Sequence, residues 1–306
     1  TKYPIADVNT LGALNMGGIG YVSQSYLDTL QTGTTLGRLI KDANGTVYLF
    51  DAKIKLPFTS CSLVADYGYD CGQAALLADW QIQSFVSGPN MTNFYQTTSG
   101  KNFYIKDGQK REIYDEQALS LASLSGAYNT LNESPLSSLA YGAPILRNNV
   151  VVNDRQNGDK YIVDQGQLTR VTGQAIAQTF LSQFTNRSID AGSIGQVTLR
   201  TGTIDGYIQD ATSGDKFILT NGGKLKITDA TAWPDTFVSA TSSLTGALTT
   251  ISTANPAYLI KSSSSATVYY VENQKQSPLT ACSDVQKINS NSTISTLHTF
   301  IAPAFS

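Results

Sequence analysis

Thr46-Val47-Tyr48-Leu49-Phe50-Asp51 returns, with changed letters, four more times along the chain. The other copies are Lys101-Asn102-Phe103-Tyr104-Ile105, Lys160-Tyr161-Ile162-Val163-Asp164, Lys216-Phe217-Ile218-Leu219-Thr220 and Thr267-Val268-Tyr269-Tyr270-Val271. With Tyr48, Phe103, Tyr161, Phe217 and Tyr269 taken as equivalent, the period is about 52–58 residues, in the range of propellers and arrays. A unit of that length is one supersecondary module. It cannot bury its own apolar face and must stack on neighbours.

The flanks of each copy follow one plan. In the third, Val150-Val151-Val152 reads as a strand and Asn153 to Asp159 as a turn, with Asn157-Gly158 its strongest signal. The repeated phrase is the second strand, Gln165-Gly166-Gln167 turns the chain, and Leu168-Thr169-Arg170-Val171 is the third strand. Gly173 to Leu181 then shifts to helical spacing. Elsewhere a helix is expected over Glu116 to Ala122, and closing glycines stand at Gly33, Gly88, Gly142 and Gly202. Lys2 to Asp7 matches the stretch ending at Asp115, so the chain carries five leading hairpins and six trailing halves. The expected fold is mainly β with short helical insertions, a propeller-like ring of five or six small blades. An open solenoid-like stack is the alternative; a ring is preferred because closure removes exposed strand edges. One repeat domain over 1–306 follows, in units 1–33 (partial), 34–88, 89–142, 143–202, 203–254 and 255–306.

Charged residues are only 14%, against roughly 25% in an average soluble domain, and uncharged polar residues replace them. This is the habit of secreted β-rich proteins. A net charge of −2 with no basic run gives no reason to expect nucleic acid, and no apolar stretch is long enough for a membrane span. The lack of a signal peptide reads as a mature form or a cytosolic protein. Cys61 and Cys71 are spaced for a short disulfide loop, with Cys71–Cys282 as the alternative pairing and buried free thiols as a third reading. An oxidising, extracellular or cell-surface location is expected.

Catalytic chemistry is scarce. His298 is the only histidine, read as a partly exposed tail residue, and no Gly-x-Ser-x-Gly elbow accompanies it. No catalytic residue and no enzyme activity are expected; a carboxylate-based glycoside hydrolase is a minor alternative. The repeated acids Asp42, Asp154 and Asp210 open turns, where Asp serves the backbone; a Ca²⁺ or sugar-hydroxyl site is the competing reading. No Asp-x-Asp-x-Asp loop occurs, so no metal or cofactor is expected. The five repeated aromatics are expected in the core. Tyr67, Tyr69, Trp80, Tyr95, Tyr207 and Trp233 lie off that position and are the candidates for stacking on a ligand.

Arg38-Leu39-Ile40-Lys41 through Asp51 and Tyr258-Leu259-Ile260-Lys261 through Glu272 resemble the roughly 50-residue repeats of secreted, cell-wall-associated actinobacterial proteins. Asn273-Gln274 lacks the glycine usual in those repeats, and Pro278 interrupts the third strand. The resemblance implies a surface location and binding rather than an activity. The resulting expectation is a lectin-like module for cell-surface glycan or cell-wall polymer, targeting a secreted toxin or hydrolase. The alternative is a structural scaffold subunit packed against other proteins of a surface assembly, its orphan N-terminal half completed by strand addition from a partner or a preceding segment.

Overall fold

The computed structural model describes residues 1–14, 20–172, 181–220, 223–227, 237–252, 259–262, 267–272, 275–279 and 298–300. The fold is mainly β, with several small sheets and short helices, and divides into two compact units, Thr1–Ile145 and Leu146–Ser306. None of the described sheets closes into a barrel.

Each repeated phrase is the middle strand of a three-stranded antiparallel meander. The first meander is Leu39–Lys41, Val47–Asp51 and Ile54–Pro57; the second is Phe94–Thr97, Asn102–Lys106 and Gln109–Glu112. In the second unit they are Val151–Asp154, Lys160–Asp164 and Gln167–Val171, then Tyr207–Asp210, Lys216–Thr220 and Gly223–Ile227. A fifth, Leu259–Ser262, Val268–Glu272 and Lys275–Leu279, joins the fourth through a strand at His298–Phe300. His298 therefore has strand backbone, rather than that of a loose tail.

The sequence reading missed one component. The polar stretch after each of the first four meanders returns as two further strands, pairing in parallel with the first and third strands. Ala75–Leu76 and Val86–Ser87 flank the first meander, Tyr128–Leu131 and Ala140–Tyr141 the second, and Asn186–Ile189 and Leu199–Ile204 the third. These strands are two to six residues long and show no apolar alternation, so periodicity cannot find them. The edges of the first four meanders, which argued for ring closure, are thus covered within their own sheets.

The turns obey residue chemistry. Gly45, Gly100, Gly158 and Gly214 take positive φ in the first hairpin turns, as the Asn-Gly and Ser-Gly signals predict. Between second and third strands, Asp107-Gly108 and Gln165-Gly166 are two-residue left-handed turns of the type that matches strand twist. Ala52-Lys53 makes the same turn without a glycine. The closing glycines Gly33, Gly88 and Gly142 have a different reason. A Cβ at each would stand 2.5 Å from Tyr3, 2.8 Å from Ile54 and 2.7 Å from Gln109, side chains of the third strand beside it.

The middle strands Val47–Asp51 and Lys160–Asp164 are buried on both faces, which explains their nearly continuous apolar runs, whereas Asn102–Lys106 buries Phe103 and Ile105 on one face. Leu49 of the first sheet packs in one core with Tyr95, Phe103 and Ile105 of the second, together with Leu63 and Val64 of helix Cys61–Asp66 and Tyr67 just after it. In the second unit, Ile162 of the third sheet shares a core with Ile208, Phe217 and Leu219 of the fourth. Leu49 and Ile162 are one repeat position; Phe103 and Phe217 are another. In both units the face carrying the residue after the repeated aromatic meets the face carrying that aromatic in the next sheet. Of the repeated aromatics, Phe103, Tyr161 and Phe217 are buried, whereas Tyr48 and Tyr269 are half-buried.

A carboxylate locks each stacked pair. Asp51, at the end of the first middle strand, accepts from the backbone N–H and side-chain Nδ2 of Asn132 at 2.9 and 3.0 Å. Arg38 stands 3.6 Å from the same carboxylate and donates to Ser134 Oγ at 2.9 Å. Asp164 is the equivalent residue in the second unit. It accepts from Thr241 N–H at 3.0 Å and Thr241 Oγ1 at 2.5 Å, and pairs with Arg200 at 3.0 Å. Asn132 and Thr241 each follow the parallel strand of the neighbouring sheet. Asp164→Ala leaves Arg200 and the Thr241 donors without their acceptor, and is expected to lower unfolding free energy by about 3–5 kcal/mol. Chemical denaturation monitored by circular dichroism measures this; an unchanged midpoint would remove the clamp from the account.

Candidate binding surface

The six candidate aromatics do not share one environment. Tyr67 is a core residue: it follows helix Cys61–Asp66, packs edge-on to Phe58 at 5.6 Å and donates its hydroxyl to Thr92 O at 2.7 Å. Tyr95 is fully buried, its hydroxyl donating to Asn132 O. Its first-strand position matches Ile40, Val152 and Ile208, all equally buried, which is why it does not face solvent. Tyr207 is buried against Phe237, ring centres 5.5 Å apart. Burial pushes all three hydroxyls well above the ordinary tyrosine range. These three are withdrawn as ligand contacts. Tyr69 is half-buried against the first core, and Trp233 lies outside the described residues.

Trp80 alone among the described candidates is exposed, at 74%. It stands in helix Asp79–Gln83 and lines a cavity of about 360 Å³, with Leu14, Leu36, Leu77 and Phe85 as the apolar walls. Lys53, Gln81 and Ser84 complete the lining. Two of these polar groups already serve the helix: Gln81 Oε1 accepts from Ala78 N–H at 3.0 Å, and Ser84 Oγ donates to Gln81 O at 2.6 Å. What is left is an apolar recess with an indole at its mouth. Val8, Tyr21, Val22, Tyr26 and Val86 are further exposed large apolar residues of the same unit, Tyr21 at 97%. Periodicity could not reveal this surface, because these residues belong to no repeated strand face.

The repeated acids act on the backbone. Asp42 accepts from Asn44 and Thr46 N–H groups at 3.0 and 2.8 Å and from the Tyr48 hydroxyl at 3.0 Å. Burial pushes its carboxyl pKa up, but those hydrogen bonds outweigh it and hold the pKa below the ordinary value. Asp154 accepts from Gln156 N–H at 2.7 Å. Asp210 accepts from Thr245 Oγ1 and Ser242 Oγ of helix Ser242–Ala247 and from Ser213 and Thr212 N–H groups, which hold it far below the usual carboxylate range. Among the described residues, no group of three or more His, Cys, Asp or Glu gathers at metal-binding distance.

A row of lysines was also missed. Lys2, Lys55 and Lys110 donate Nζ to Leu27 O, Ile82 O and Leu136 O, each at 2.9 Å, and Lys224 donates to Thr245 O. Each neutralises carbonyls of the short helix or turn leading to the trailing strand. The pattern places Lys2 opposite Lys110, and Asp7 then matches Asp115. Both acids accept from the backbone of the following helix, Asp7 from Thr10 N–H at 2.6 Å and Asp115 from Ala118 N–H at 2.7 Å. Cys61 and Cys71 form the local disulfide, with Cα atoms 5.7 Å apart. Cys282 lies outside the described residues.

No family model and no curated protein matches the chain. Among solved structures, it is similar to a chain of the periplasmic assembly from the ESX-5 inner membrane complex, at 10% identity and a TM-score of 0.17, covering 91% of this chain and 81% of that one. A chain of an intact ESX-5 inner membrane complex gives 10% identity and a TM-score of 0.16, covering 92% and 71%. Overlap this slight does not establish a shared fold. Among the described residues, no helix is long and apolar enough to cross a membrane.

The electrostatics give a pH signature. The Asp210 carboxyl lies below its ordinary value of 3.8 when folded, so its stabilising contribution is complete above that range and is lost as pH falls through and below it. Between pH 5 and pH 2, Asp210→Asn is expected to show a shallower loss of stability than the parent. Parallel acid-denaturation curves would contradict this.

Proposed function

We propose that this chain is a non-enzymatic structural subunit of an extracytoplasmic protein assembly, holding another protein through the apolar surface of its first unit. The observation that carries the reading is the recess under Trp80. Its walls are mostly apolar and two of its three polar residues, Gln81 and Ser84, are engaged by the helix, a setting suited to an apolar side chain of a partner. Val86, next in sequence to the lining residue Phe85, adds exposed apolar surface beside it. The Cys61–Cys71 disulfide supports an oxidising compartment. The array reading belongs to the same proposal: the five meanders and the N-terminal half are copies of one module, supported by the common strand order and the repeated clamps and lysines.

Glycan or cell-wall polymer binding is the second reading, favoured by the exposed indole face of Trp80. One experiment separates the two. Trp80→Asp is expected to reduce recovery of the chain in its native high-molecular-weight complex about tenfold, the effect of losing one hot-spot side chain. Its thermal melt should be unchanged. A complex that survives the substitution sinks the assembly reading. Trp80-dependent retention on purified cell wall, without any protein complex, would favour the glycan.

A further inference from the structure

The turn between the second and third strands of the first meander departs from its counterparts at one residue. Lys53 stands where the second and third meanders place Gly108 and Gly166, and its φ of 72° is close to their 73° and 70°. In this left-handed region an L side chain crowds its own backbone, a cost that glycine avoids. Room does not explain the two glycines. Apart from chain neighbours, a Cβ at Gly108 or Gly166 would meet no atom closer than 4.0 Å. The first meander thus holds a lysine in a backbone conformation that suits glycine, and strain of this kind gathers where a side chain has a task.

That lysine lines the Trp80 recess. Its carbonyl accepts from Val86 N–H at 2.9 Å, and Ile54 pairs with Val86 in the sheet, which fixes the turn beside the lining residue Phe85. Gln81 and Ser84, the other polar residues of the lining, are engaged by the helix. The Lys53 ammonium makes no hydrogen bond or ion pair among the described residues. Lys55 donates its Nζ to Ile82 O at 2.9 Å and adds a second positive charge at the same helix. Asp79, in the first turn of that helix, is exposed and does not line the recess. Apolar walls of Leu14, Leu36, Leu77 and Phe85 therefore stand beside one uncommitted cation.

We propose that the recess receives a large apolar side chain of the partner protein flanked by an acidic residue, the walls holding the apolar group and Lys53 pairing with the carboxylate. An acid brought against this surface loses water and needs an opposite charge to offset that loss; a basic or neutral neighbour gains nothing from Lys53. A protein segment is chosen over a free amphiphile because the apolar surface runs past the recess. Trp80 is 74% exposed and Val86 65%, and a molecule confined to the cavity would leave both in water. The inference rests on the assembly reading for the partner being a protein, and adds the chemistry of its contact.

The test pans a random peptide library displayed on phage over the immobilised full chain, after depletion on Trp80→Asp. Selected peptides are expected to share Phe, Trp, Leu or Ile beside Asp or Glu. Lys53→Met keeps the apolar stem and removes the charge. By fluorescence anisotropy it is expected to weaken their binding about fivefold, a difference that shrinks in high salt. Lys53→Glu is expected to prefer the same peptides with Lys in place of the acid. Lys53→Gly should weaken binding as Lys53→Met does while raising the thermal midpoint by about 2 °C, so one variant stays informative if the others fold poorly. Trp80-dependent peptides that lack an acid, or that bind Lys53→Met as tightly as the parent, overturn the proposal and leave the assembly reading standing. An absence of Trp80-dependent peptides overturns it as well, and the fate of the native complex on Trp80→Asp then judges the assembly reading by itself. A small amphiphile that native mass spectrometry finds on the parent chain but not on Trp80→Asp would put a free molecule in the recess and overturn the assignment to a partner protein.

Discussion

A carboxylate buried at the end of a middle strand holds this architecture together. Asp51 and Asp164 do not serve their own sheets. Each reaches across to the residue that follows a parallel strand of the next sheet, and each is neutralised by an arginine, Arg38 or Arg200. Apolar stacking is tolerant of sliding, because one oily face fits another in several positions. A carboxylate with fixed donors is not, since a shift of an ångström or two leaves a buried charge unsatisfied. Burial supplies the attraction between sheets, and the clamp selects the register.

The lysine row completes the same logic at the other end of the capping turns. In the second unit, helix Ser242–Ala247 meets Asp164 and Asp210 at its start and Lys224 at its end, so opposite charges meet opposite poles of the backbone dipole. In the first unit, Asn132 through Leu136 meets Asp51 and Lys110 in the same sense. A second link joins the first two sheets: Asp66 accepts from Lys106 Nζ and Asn93 Nδ2, both at 2.9 Å. Burial works against that charge, and the donors outweigh it, leaving the carboxyl below its ordinary value. Uncharged polar residues suit the remaining surface. Arg38, Asp51, Asp66, Lys106, Asp164 and Arg200 are the charges placed where one sheet is aligned on the next.

The most apolar exposed feature of the first unit lies away from the repeated strand faces. The recess lined by Leu14, Leu36, Leu77 and Phe85 is open at the surface, with the exposed Trp80 beside it, whereas Leu49 and Ile162 are closed over by the neighbouring sheet of their own unit. Stacking thus buries the regular positions and leaves the irregular ones to face solvent.

The amino-acid order alone determined the meanders. Alternating apolar residues between Asn-Gly, Ser-Gly and Gln-Gly turns specify strands and hairpins locally, and a spacing of ten residues allowed the Cys61–Cys71 pair among its alternatives. The turn role of Asp42, Asp154 and Asp210 was legible for the same reason, because an Asp side chain reaches only its own turn. Tertiary structure decided the rest. Tyr67, Tyr95 and Tyr207 are buried by neighbouring sheets that no local pattern describes. The parallel flanking strands are too short and too polar to announce themselves, and exist because a meander edge lies beside them. Trp80 became the one exposed candidate among the described residues only through the packing of its own unit. Local chemistry acts over a few residues, whereas burial and unpaired edges are properties of what lies across the gap.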